Sequence, residues 1–127
     1  MKIRVREVLS IANAIRVHFH SSAGSGTALW MGIPPAIGEE HDVEFDLNEV
    51  FSWGKNLIPS SREAPHITII NGVTRITAQI VQNADEEWAA LQLGDSIILI
   101  ELDEPSTQES RFVEVKATKI HLYPTNI

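Results

Sequence analysis

Apolar and polar positions alternate with a period of two along most of the chain, the mark of strands that rest one face on a core. Ile15, Val17 and Phe19 alternate with Arg16, His18 and His20, and Ile76, Ala78 and Ile80 with Arg75, Thr77 and Gln79. Val43, Phe45 and Leu47 alternate with Asp42, Glu44 and Asp46, which gives one strand an acidic outer stripe. Near the start, Ile3 and Val5 are in phase but Val8 is not. A strand keeping one face inward there needs a bulge or bend near Arg6-Glu7. Near the end, Val113, Val115 and Ala117 lie on one parity and Ile120 and Leu122 on the other, which predicts a long final strand bent around Thr118-Lys119.

Other segments are read from their punctuation. Ala28 to Ile33 is a strand stopped by Pro34-Pro35, and Asn71-Gly72 predicts a tight hairpin turn. Residues 21–27, rich in Ser and Gly, are expected to be a flexible connection, and 48–65 the longest irregular stretch. Ile97-Ile98-Leu99-Ile100 is apolar on both parities, as in a strand covered on both faces or crossing a barrel interior. One short helix is expected over about residues 84–92. Asn83 and Glu86 fit a capping box, Asp85, Glu86 and Glu87 suit the positive end of the dipole, Gly94 suits the stop, and Trp88 and Leu91 would share the buried face.

Together these elements predict a mainly β fold, a small and strongly coiled β-barrel with one short helix. Bends and bulges are what closing a few strands around a core requires. Over residues 73–123 the order of strand, helix, strand and long final strand resembles the later part of an oligonucleotide/oligosaccharide-binding (OB) fold, with no family-specific motif beside it. The length suits a single compact domain over 1–127. Residues 37–49 also align with 93–104 when one residue is skipped: an apolar residue, a glycine, an acid, then a strand running into acids. Either an internal half-repeat (1–60 and 66–127) or two hairpin entries under the same turn rules produces that likeness.

Charge sharpens the picture. Ten Lys and Arg stand against seventeen Asp and Glu, for a formal charge of −7. No Lys or Arg lies between Arg16 and Lys55, and none between Arg75 and Arg111. Such a surface repels phosphate backbones at long range and attracts basic partners. Cysteine is absent, which excludes disulfides, thiolate metal sites and a cysteine nucleophile. Apolar runs reach only four residues and no h-region follows Lys2, Arg4 and Arg6, so neither a membrane helix nor a signal peptide is expected, and the cytoplasm is the expected location.

Catalytic chemistry finds no setting. His18 and His20 point the same way, as metal ligands do, but they share their face with Arg16 and no acid completes a cage, so a solvent-facing role without metal is expected. His41, His66 and His121 are scattered. The Gly-rich segment 23–27 lacks a P-loop lysine and leads into a strand, and no nucleophile elbow occurs. No cofactor is called for.

Two surfaces remain as candidates. Glu39, Glu40, Asp42, Glu44 and Asp46 form an acidic face suited to a basic protein partner. That is the expectation for a small non-enzymatic immunity, antitoxin or inhibitor protein. Phe51, Trp53, Lys55 and Arg62, in the irregular stretch, would instead suit an OB-type binder of single-stranded nucleic acid. A self-assembling structural subunit is the third reading.

Overall fold

In the computed structural model, residues 1–83, 87–104 and 112–125 are described. Twelve strands occur among them: β1 (Lys2–Ile11), β2 (Ala14–Ser21), β3 (Gly24–Trp30), β4 (Glu40–Leu47), β5 (Val50–Phe51), β6 (Leu57–Pro59), β7 (His66–Ile70), β8 (Val73–Asn83), β9 (Trp88–Leu93), β10 (Ser96–Leu102), β11 (Phe112–Ala117) and β12 (Ile120–Pro124). The phase changes in the sequence fall where the strands deform. The β1–β2 register shifts between Val5 and Glu7, so Arg6 is the extra residue and Val8 comes opposite Val17. The final strand breaks at Thr118-Lys119, and its two parts, β11 and β12, pair with different neighbours. Asn71 and Gly72 (φ 52° and 77°) join Ile70 to Val73, the double positive φ that a right-twisted hairpin needs.

Five strands close into a barrel in the order β1-β2-β3-β12-β4 and back to β1, with β3 and β12 parallel. Six of the other strands trace a second circuit, and β7 pairs with β8 and β3 beside it. From β8 one path runs through β9 and β10 to β5, another through β11 to β6, and the bridge Trp53↔Leu57 links their ends. Each circuit is completed by a strand that continues the other circuit's chain. β4 leaves the barrel and runs on into β5; β11 leaves the second circuit and runs on into β12. The two crossings are fastened together. Asn48 N–H donates to the Lys119 carbonyl, and the Glu49 carboxylate accepts from Thr118 Oγ1 (2.9 Å), Lys119 N (3.0 Å) and Thr118 N (3.2 Å). Phe19 and Leu122 from the barrel and Phe51, Leu57, Ile76 and Ile100 from the second circuit belong to one buried cluster.

Three expectations change. The described part of the expected helix, from Trp88 on, is strand β9, hydrogen-bonded between β8 and β10. Ala89, Leu91 and Leu93 are buried on one parity, and pairing on both edges overrides the helix-start signals. Asp85 and Glu86 of the expected cap lie outside the described residues. Trp88 is accordingly 38% exposed rather than core. The segment 21–27 is mostly strand, turning only at Ser22-Ala23. Its glycines allow close approach: a Cβ on Gly24 would lie 1.9 Å from the Ile67 carbonyl oxygen, where β7 joins β3. Ile98 and Ile100 point inward, but Ile97 and Leu99 face out. The expected small barrel takes four of its five strands from residues 2–47 and the fifth from β12.

Candidate partner-binding face

The alternation along β4 puts Val43, Phe45 and Leu47 in the core and Asp42, Glu44 and Asp46 outside. The five acids of this region then divide. Glu40 pairs with Arg4. Glu39 accepts from Ala36 N (2.7 Å) and lies 3.2 Å from His41 Nε2; these two hydrogen bonds, the backbone one first, hold its carboxyl below the ordinary glutamate range. Both are therefore used in fixing the 36–41 turn. Glu44 and Asp46 make no side-chain hydrogen bond or ion pair among the described residues.

These two free carboxylates border an apolar strip that the sequence pattern had assigned to the interior. Ile97 and Leu99 of β10 are 57% and 54% exposed, and Tyr123 of β12, directly across from Glu44, is 40% exposed. Glu44, Phe45, Asp46, Ile97, Leu99 and Tyr123 line a hollow of about 430 Å³. An adjoining hollow of about 460 Å³ shares Glu44, Phe45 and Ile97 and adds Asp95 from the β9–β10 turn. Among the described residues no Lys, Arg or His side chain lines either one; the Met1 ammonium, bonded to Val43 O (3.0 Å), borders the second. Contiguous exposed aliphatic and aromatic side chains rimmed mainly by carboxylates are the anatomy of a contact surface rather than of plain solvated strand. The signal was present in the four-residue apolar run. Alternation alone does not tell a strand buried on both faces from one with an apolar outer face.

The aromatic and basic set does not assemble. Phe51 is completely buried, so its ring is not available for stacking. Trp53 packs on the core edge, and its indole N–H is buried without an acceptor among the described residues. Lys55 stands exposed in the following turn. Arg62 instead lines a hollow of about 520 Å³ with Phe112, Gln79 and Glu63, where the Glu63 charge opposes its own. Of the histidines, His20 is exposed with Nδ1 2.8 Å from Ser25 Oγ, and His18 is half-buried beside it. A further cleft of about 250 Å³, with Arg16 and Lys119 among its lining, includes no residue of either candidate set.

No family model matches the chain, and neither does any curated protein or solved structure.

Proposed function

We propose that this protein is a non-enzymatic binding module that holds a basic protein partner on the face made by β4, β10 and β12, in the manner of an immunity, antitoxin or inhibitor protein. One observation carries the reading: Glu44 and Asp46, the acids without an internal partner, stand beside exposed Ile97, Leu99 and Tyr123. The acids steer and select a basic partner, while the apolar strip supplies the area from which water is removed on contact. Successive outward side chains on one strand are roughly 7 Å apart, close to the phosphate spacing along one nucleic-acid strand. A protein surface built to bind phosphates therefore finds matching charge at Glu44 and Asp46.

Reversing both charges, Glu44→Lys with Asp46→Lys, should preserve the fold because both side chains face solvent. It should also abolish salt-sensitive capture of basic proteins from a lysate of the source cells, read against immobilised wild-type protein. The nucleic-acid reading predicts the opposite sign, with a fluorescent oligonucleotide bound more tightly by the reversed variant. Capture indifferent to both salt and the reversal would overturn the proposal.

A further inference from the structure

The cleft of about 250 Å³ outside both candidate sets lies where the strand ladders leave a gap. One edge of β3 is paired with β2 along its length. The other edge meets β7 at Gly24 and β12 from Leu29 on, and among the described residues no ladder covers 25–28 between them. Thr74 of β8 fills part of the gap, its hydroxyl oxygen accepting from Thr27 N (3.1 Å). What remains open is bounded by β2 and β3, by the β7–β8 turn, and by the bend between β11 and β12.

In a chain with seventeen acids against ten bases, this opening carries the reverse sign. Arg16 and Lys119 both line it, and among the described residues no carboxylate does. Arg4 and Arg75 pair with Glu40 and Glu114, but neither Arg16 nor Lys119 has a side-chain hydrogen bond or ion pair among the described residues. Glu49, which takes its three donors from the same bend, stands outside the lining. Two cations sharing a cleft without a counter-charge repel each other and add nothing to the fold; a dianion between them removes the repulsion. Thr27 adds a neutral donor. Thr74 Oγ1 reaches Thr27 O and Thr27 Oγ1, each at 3.4 Å, so Thr74 can donate to either and leave the Thr27 hydroxyl proton to a ligand. Leu29 and Val73 give the cleft an apolar wall.

We infer that this cleft binds a small phosphate monoester. Arg16 and Lys119 hold the phosphate oxygens, Thr27 donates to one of them, and the ligand's apolar body lies on Leu29 and Val73. A phosphate monoester carries close to two negative charges at neutral pH, which matches the two cations, whereas a carboxylate carries one. The guanidinium fork also fits two phosphate oxygens at once. The cleft falls below the roughly 300–1,000 Å³ usual for drug-sized ligands, which suits a body of about one ring. A longer polyanion meets Glu44 and Asp46 on β4, the strand beside β12, and is repelled there. The site stands apart from the face of β4, β10 and β12 and does not depend on that face's partner.

The test titrates the full chain with phenyl phosphate, followed by calorimetry and by the NMR signals of the Thr27, Gly72 and Val73 amides. One saturable site is expected, with Kd below about 1 mM. Benzoate, which has the ring but one charge, and inorganic phosphate, which has the charge but no ring, should each bind at least tenfold more weakly. Arg16→Gln and Lys119→Gln alter exposed side chains without internal partners, so their circular dichroism should match wild type while affinity for phenyl phosphate falls at least tenfold in each. Lys2→Gln removes the same charge from exposed β1 and should leave the affinity unchanged. No saturation by about 10 mM phenyl phosphate would overturn the inference. So would equal binding of benzoate or of inorganic phosphate, wild-type affinity in either cleft variant, or a Lys2→Gln loss as large as theirs. Displacement of phenyl phosphate by a single-stranded oligonucleotide at equal phosphate concentration would assign the two cations to nucleic acid, and that also overturns it.

Discussion

Replacing Glu49 by Ala tests the joint between the two crossings. The carboxylate collects three donors from the bend at Thr118-Lys119, and after its removal the main-chain bond from Asn48 N to Lys119 O remains, with the adjoining β4–β12 ladder. Hydrogen bonds to a charged acceptor contribute about 1.5–3 kcal/mol where buried, but water reaches this joint, so about 0.5–1 kcal/mol for each is the better value. The sum is about 2 kcal/mol, close to 30-fold in the unfolding constant. For a domain of this size that lowers Tm by about 7 °C, measurable by near-ultraviolet circular dichroism during heating. Glu49→Gln keeps an acceptor without the charge and should fall between. Glu44→Ala, on the same chain segment but without a side-chain partner, should lie within about 0.5 kcal/mol of wild type. A Glu49→Ala shift no larger than that of Glu44→Ala would refute the assignment of the carboxylate as the fastener.

Gly24→Ala forces a methyl group against the Ile67 carbonyl at the β3–β7 junction and should cost about 3 kcal/mol or prevent folding, read by urea unfolding. Ala12 has φ 46° in the β1–β2 turn, so Ala12→Gly should raise stability by about 0.5–1 kcal/mol in the same assay, the relief of strain exceeding the added chain entropy. Glu39 should titrate below the ordinary glutamate range in carboxyl-detected NMR. Because its folded-state value is lowered, its contribution to stability is present above the unfolded value and is lost as pH falls through the folded one; Glu39→Gln should remove that acid dependence.

The strands and their deformations were legible because parity is a local property. Val5 to Val8 and Ala117 to Ile120 change phase within a few residues, and the chain bends where they do. The helix signals around 83–88 were also local, yet residues 88–93 form a strand because two neighbours distant in sequence supply its ladders. Local propensity carries no information about those neighbours. The same limit hid half of the candidate face. Glu44 and Asp46 follow from alternation along one strand, whereas Ile97, Leu99 and Tyr123 reach them through a topology that no short window contains. Phe51 was misplaced for the converse reason: a two-residue strand gives no periodicity to read, and pairing beside Leu102 sets Phe51 in the core cluster.

The crossing of the two circuits bears on how the chain comes to fold at all. The barrel's first four strands are complete by Leu47, but its fifth begins at Ile120. During synthesis the N-terminal strands must therefore wait, with Phe19, Trp30 and Phe45 unprotected, until β12 has left the ribosome. Closing that gap carries a loop entropy and a high contact order, which slow folding and lengthen the exposure of unpaired strand edges. The reward comes in the opposite direction. With each circuit sealed by the other's continuation, neither opens without the other, so unfolding is expected as one event, and a protease cut between Ser60 and Pro65 should leave two fragments that stay together until both unfold.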